Sequence, residues 1–279
     1  MDAKIRTLSF NEFQLVIEWA VAEGWNIGQC DAGIFHATDP QGFFGAFIGE
    51  ELAGAISAVA YSADFGFIGF FIVKPEYRGH MLGPDLGIKA FNYLGSRNIG
   101  VDGVEAKEKH YESHGFKPAY NNIRFEGMAD DEACLDGLAD AADIPFDELA
   151  AYDRRFFPAA RHAFLSLWIN QPEGFSVAAC GENGVSGFGT IRRCRKGYKI
   201  GPLFADDPHT AEKIFVSLTA KIPHGEYFYL DVPSVNQFAN AMAKKHKLRP
   251  VFKTARMYNR FLPNLPLDNI YGVTSFELG

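Results

Sequence analysis

Residues 71–87 read FIVKPEYRGHMLGPDLG: a short apolar run, a break at Pro75, then Arg78, Gly79 and Gly83 within six residues. A strand that stops, a glycine-bearing loop and a helix start together form a way to hold phosphate. Glycine lets the backbone come close, the first amides of the helix have no partner within it, and the helix dipole adds positive potential. Pro84 suits the first turn of such a helix, and the pattern places that helix near residues 84–96. The alternative use of Arg78-Gly79-His80-Met81-Leu82-Gly83 is a surface turn that only starts a helix.

The elements around this loop occur twice. DPQGFFGAFIGEELAGAISAVAYSADFGFIGFFI (39–72) and QPEGFSVAACGENGVSGFGTIRRCRKGYKIGPLF (171–204) are related at an offset of about 132 residues. Pro40-x-Gly42-Phe43 matches Pro172-x-Gly174-Phe175, Gly49-Glu50 matches Gly181-Glu182, and Ile68-Gly69 matches Ile200-Gly201. Each copy reads as three short strands with tight turns, and Asn183-Gly184 is a strong hairpin signal. In residues 11–25, Phe13, Val16, Ile17, Ala20 and Val21 recur at helical spacing, with Asn11 as the expected N-cap. The matching helical stretch of the second copy, 146–169, should break at Pro158. A helix, a strand and another helix follow each copy, so the expected order is β-α-α-β-β-β-α-β-α, twice. This organisation gives a first domain at 1–127, a linker at 128–145 and a second domain at 146–279. The acidic, Ala-rich stretch MADDEACLDGLADAADIPFDE (128–148) is expected to form a linker helix.

The bulk properties narrow the function. The chain has 279 residues, 47% hydrophobic and 22% charged, which suits a sizeable core in a soluble globular protein. A formal net charge of −7 argues against a nucleic-acid footprint. The four cysteines are scattered, with no CxxC or Cys/His cluster, so no metal site or disulfide framework is expected. Nothing reads as a secretory signal or a membrane span, and the expectation is a cytoplasmic protein.

The order of elements and VKPEYRGHMLG together resemble the GCN5-related N-acetyltransferase (GNAT) superfamily. Its signature loop is Q/R-x-x-G-x-G/A, set between the fourth strand and the third helix. Here it falls on Arg78, Gly79, His80, Met81, Leu82 and Gly83, with Met81 in place of the middle glycine. A second family element, an aromatic Tyr-x-x-x-Gly-Phe ending, is matched by Tyr111-Glu112-Ser113-His114-Gly115-Phe116, 33 residues beyond Arg78. The second half is similar to the same superfamily but lacks the glycine loop, carrying Asp206 and Asp207 where phosphates would sit; Asn236-x-x-Ala239 fits its fourth-helix start. The whole chain resembles a tandem transferase with a degenerate second half, and GVTSFELG (272–279) is similar to the ending of that subgroup.

The resemblance implies an α+β (mixed α/β) fold of two tandem domains, each with a mostly antiparallel central sheet flanked by helices. It also implies acetyl-CoA as cosubstrate, no metal, and a small-molecule amine as acceptor, with no nucleic acid or membrane partner and a monomer or homodimer. Residues 78–84, including Pro84, would take the pyrophosphate. The backbone of Phe71, Ile72 and Val73 would pair with the pantetheine amides, and an N–H near 71 or 72 would hold the developing oxyanion. Tyr111 would donate to the leaving thiolate. For the general base, Glu105 is favoured over Asp64, Asp102 or a water chain; Asp102 has a counterpart in Asp231, which suggests a repeated structural role. The activity implied is N-acetyl transfer. The alternatives are a non-catalytic acyl-CoA sensor and a transferase drawing on aminoacyl-tRNA. The hairpin Arg192-Arg193-Cys194-Arg195-Lys196 reads as a solvated basic turn.

Overall fold

The computed structural model describes residues 3–130, 137–182 and 184–279. The first half runs β1 (Lys4–Thr7), α1 (Phe10–Ala22), α2 (Asp31–Thr38), β2 (Phe43–Ile48), β3 (Glu51–Ala60), β4 (Phe65–Val73), α3 (Leu82–Leu94), β5 (Asn98–Val104), α4 (Glu108–Ser113) and β6 (Lys117–Met128). The second runs β7 (Ala139–Asp140), α5 (Phe146–Asp153), α6 (His162–Ile169), β8 (Gly174–Gly181), β9 (Gly184–Arg193), β10 (Tyr198–Ala205), α7 (Pro208–Thr219), β11 (Tyr227–Pro233), α8 (Gln237–Lys245), β12 (Arg249–Tyr258) and β13 (Ile270–Gly272). The doubled order of elements is therefore present, in a mixed α/β fold.

Local chemistry sets several boundaries. The cap of α1 is Ser9, not Asn11: Ser9 Oγ accepts from the Glu12 amide, and the Glu12 carboxylate accepts from the Ser9 amide at 2.8 Å, forming a capping box. The break near Pro158 separates α5 from α6. Of the expected linker helix, residues 139–143 instead form a short strand and a 3₁₀ turn. Residues 131–136, with Cys134, and Asn183 of the expected hairpin turn lie outside the described residues.

All the described strands join one sheet, in the order β1-β2-β3-β4-β5-β12-β6-β11-β10-β9-β8-β7, with β13 beside β10. The two halves trade a strand. β12, from the second half, pairs antiparallel with β5 of the first; β6, from the first, pairs antiparallel with β11 of the second. β12 and β6 also pair with each other and close the junction.

The exchange is held by two matching buried ion pairs. Arg256 lies opposite Asp102 across β12 and β5, and its Nε and Nη2 donate to that carboxylate at 2.9 and 2.6 Å. Arg124 lies opposite Asp231 across β6 and β11, donating at 2.7 Å twice. Bidentate geometry offsets much of the desolvation of such charges. The repeated role expected of Asp102 and Asp231 is this pairing.

The basic hairpin is solvated only at its tip. Arg192 is buried and donates to Asp31 of α2, while the exposed Arg195 and Lys196 pair with Glu18 of α1 and Glu126 of β6. These contacts stitch the second half onto the helices of the first. Layers of apolar side chains cover both faces of the sheet. Phe43 and Phe47 pack toward α1 and α2, while Phe44 and Ala46 pack toward α3. Among the described residues, no helix is long and apolar enough to cross a membrane.

Candidate active site

β4 and β5 run parallel only as far as Ile68 and Val101, and beyond that they diverge. The cause is visible on the other side of β4. Ser57 faces Gly69 and Ala55 faces Ile72, so β4 carries an extra residue against β3. Phe70 takes up that bulge at a φ of 45°. Such a conformation is costly for a non-glycine residue and is retained where surrounding packing enforces it; the Phe70 ring is wedged among Phe13, Phe35 and Trp25. The bulge leaves the β5-side edge of β4 without a ladder partner on β5, as pairing with an extended ligand requires.

A cavity of about 620 Å³ follows this gap. Phe71, Ile72, Val73, Arg78, Gly79, His80, Gly83, Pro84 and Tyr111 line it. Gly79 has a φ of 82°, the left-handed conformation that lets the loop turn into the helix. The helix begins at Leu82, two residues before the expected start, and no side chain caps its first turn. Met81 has an ordinary φ of −72° and is 66% exposed, and Leu82 is buried in the core, so their side chains do not line the cavity. Arg78 donates to the Val73 carbonyl and pairs with Glu23.

The Tyr111 ring sits on Gly103 of β5, where a Cβ would come within 2.6 Å of it. Burial, with a smaller contribution from Asp102, pushes its phenol up to about 12. Beside it, burial, His114 and Lys107 lower the pKa of His110. Glu105 is not among the lining residues. It is exposed and bonded to Lys253 at 2.8 Å.

The far end of the cavity is built by the second half. Phe252 and Thr254 of β12 and residues Phe276 and Glu277 complete the wall. Residues 273–279 thread between the halves. Gly201 and Gly69, the repeated Ile-Gly positions, are where they pass: a Cβ at Gly201 would lie 2.6 Å from the carbonyl oxygens of Val273 and Thr274, and one at Gly69 would lie 2.0 Å from that of Glu277. Sequence reading noted both glycines and the segment but not their meeting.

The equivalent gap in the second half is filled from within. β10 and β11 also pair in parallel for only three residues, but β13 then lies along β10, and Val273 donates to the Asp231 carbonyl. The helix after β10 is closed as well. Asp207 accepts from the amides of His209 and Thr210 at 2.8 and 3.0 Å, taking the groups a phosphate would use. Asp206 is held by Tyr152 and Arg155.

The comparisons with known proteins agree with this geometry. Residues 6–116 match the "Acetyltransferase (GNAT) family" model, and residues 149–272 match a second model described as "Acetyltransferase (GNAT) domain". The chain is 30% identical over 273 residues to the holothin acyltransferase of a Pseudoalteromonas species, covering 97% of this chain and 92% of that one. Among solved structures, a proposed acetyltransferase of Pyrococcus horikoshii superposes with a TM-score of 0.84 at 23% identity, over 99% of this chain and 96% of that one. A tandem GNAT protein from the clavulanic acid biosynthesis pathway gives 0.65 at 11%, over 92% and 98%. Those two show the fold. The chain belongs to the GNAT acetyltransferase family, as a tandem member with a degenerate second half. The family and the acyltransferase relative support acyl transfer as its class of activity.

Proposed function

We propose that the protein is an acyl-CoA-dependent N-acyltransferase that moves an acetyl group from acetyl-CoA to a primary amine of a small molecule or amino acid, in its first half. The observation that carries this reading is the contrast between the two gaps: one open and lined by an uncapped helix start, the other plugged by β13 and capped by Asp207.

In this reading the amides of the 78–84 loop hold the pyrophosphate, and the free edge of β4 holds the pantetheine. A backbone N–H at 71 or 72 stabilises the developing oxyanion. The amine nitrogen attacks the thioester carbon, the C–S bond breaks, and the nitrogen loses one proton. Tyr111 is a weaker acid, at about 12, than an ordinary thiol near ~8.5. Its role is therefore to donate a hydrogen bond to the leaving sulfur rather than to surrender its proton. Domain boundaries at 127 and 146 remain our division of the chain by sequence; the exchanged strands tie the two units together.

Calorimetry with acetyl-CoA tests the reading. One site per chain, lost in Gly83→Glu, followed by amine-dependent thiol release, is expected. Binding without turnover on any amine would favour a sensor. Binding that survives Gly83→Glu would remove the loop from the site.

A further inference from the structure

Three carboxylates line the cavity: Glu23, Asp102 and Glu277. Two are already engaged. Glu23 pairs with Arg78, and Asp102 accepts two bonds from Arg256 and one from Asn122. Glu277 differs. It is 4% exposed, no described cation lies within ion-pair distance, and its Oε2 has no hydrogen-bond partner. A buried carboxylate oxygen left unsatisfied costs free energy, and in a cavity wall that deficit points to a missing donor. The Thr254 hydroxyl, on the same wall, is also unpartnered.

The position of Glu277 is well determined. Its carbonyl packs on Gly69 of β4, next to the bulge at Phe70. Tyr61 donates to the Leu278 carbonyl at 3.0 Å, and the Leu278 amide donates to Ser275 Oγ at 3.0 Å. Three buried cations act on the carboxylate at longer range: Arg124 of β6, Arg192 of β9 and Lys199 of β10. The first two are taken by Asp231 and Asp31. The remaining walls mix aromatic with aliphatic side chains: Trp25, Phe252 and Phe276, the last two 6.3 Å apart between centroids, stand beside Ile72, Val73 and Val104.

We propose that Glu277, delivered by the second half, is the catalytic base of the first. It binds the ammonium of the acceptor and takes its proton, and the acceptor is a primary amine carried on a flat, largely apolar body. This rests on the transferase reading above. The chemistry balances. One ammonium proton passes to the Glu277 carboxylate and frees the nitrogen lone pair. The C–N bond forms as the C–S bond breaks, and the electron pair leaves on sulfur under the Tyr111 hydroxyl. The amide nitrogen gives up its second surplus proton to water, and Glu277 returns its own to solvent.

The test uses the full chain with acetyl-CoA and three amines: phenethylamine, tryptamine and butylamine. Expected are a preference for the two aryl amines and a loss of about 100-fold in kcat/KM for Glu277→Gln at pH 7, with acetyl-CoA affinity unchanged. The loss should narrow as pH approaches the amine's own pKa near ~10, where free amine no longer needs a base. Glu277→Asp, which keeps the charge, should retain part of the activity, and it carries the test if Glu277→Gln does not fold. Glu277→Gln within threefold of wild type at every pH, or a wild type that prefers butylamine or acetylates none of the three, would overturn the proposal while leaving acetyl-CoA binding in place. A wild type that binds no acetyl-CoA would overturn the transferase reading itself.

Discussion

Gly69→Ala isolates the role of the threaded segment. A Cβ at residue 69 would lie 2.0 Å from the Glu277 carbonyl oxygen, against a floor of 3.0 Å for real contacts. Either β4 or residues 273–279 must therefore retreat by about 1 Å, and a misplacement of that size near reacting groups costs on the order of 100-fold in rate. Forcing an extra methyl into a packed interior costs about 1–3 kcal/mol, or roughly 2–4 °C of melting temperature per kcal/mol for a chain of this size. Gly87→Ala, on α3 and outside the cavity lining, is the internal control. Its Cβ would meet nothing within 4 Å. Two glycine-to-alanine changes in the first half are thus expected to behave oppositely: Gly69→Ala melts earlier and transfers slowly, while Gly87→Ala matches wild type. Thermal melts and thiol-release kinetics on the two variants, with acetyl-CoA calorimetry beside them, decide it. A Gly69→Ala protein with unchanged melting and full activity would refute the claim that the segment is pinned against β4 beside the proposed site.

Tyr111→Phe should lower kcat about 10- to 100-fold with little change in acetyl-CoA affinity. Its phenol is raised by burial to about 12 from an ordinary value near ~10, so the stability it contributes is whole below about pH 10 and is lost as pH rises toward 12. A pH profile of kcat should accordingly show no fall from Tyr111 below about pH 10; an alkaline limb at pH 8–9 that disappears in Tyr111→Phe would contradict this. Arg124→Met leaves Asp231 buried and unpaired and should cost about 3–5 kcal/mol in urea denaturation, whereas Arg124→Met with Asp231→Leu should cost less than the single change. Asp207→Ala should cost about 1 kcal/mol as a lost cap, yet leave one acetyl-CoA site per chain, since β13 still fills the second gap; two sites by calorimetry would show that the cap alone closes it.

Much of the fold was legible because it is locally written. Helical spacing, turn glycines and the repeat offset depend on neighbours within a few residues or on self-similarity, and the apolar run from Phe71 closes β4 at Val73, ahead of the break expected at Pro75. The loop at 78–84 was legible for the same reason: Gly79 must take a positive φ, and Pro84 sits in a first turn. The base was not. Glu105 is near Tyr111 in sequence, but the chain turns it outward to Lys253, whereas Glu277 is remote in sequence and enters the site through the junction. In the hairpin 192–196 the solvated reading holds at Arg195 and Lys196 and fails at Arg192, whose burial depends on Asp31 of α2, remote in sequence.

The sequence by itself determined the element order, the duplication, the phosphate-type loop in one half and its replacement by acids in the other, since each is a property of contiguous residues. The tertiary structure alone decided which strand lies beside which. A β-strand carries alternation but no address, so nothing in β6 or β12 announces that they change places; the opposed Arg124–Asp231 and Arg256–Asp102 pairs become an address only across the sheet. The same holds for residues 273–279. Their meaning comes from Gly201 and Gly69, two positions whose missing side chains make room for a segment that arrives from elsewhere in the chain.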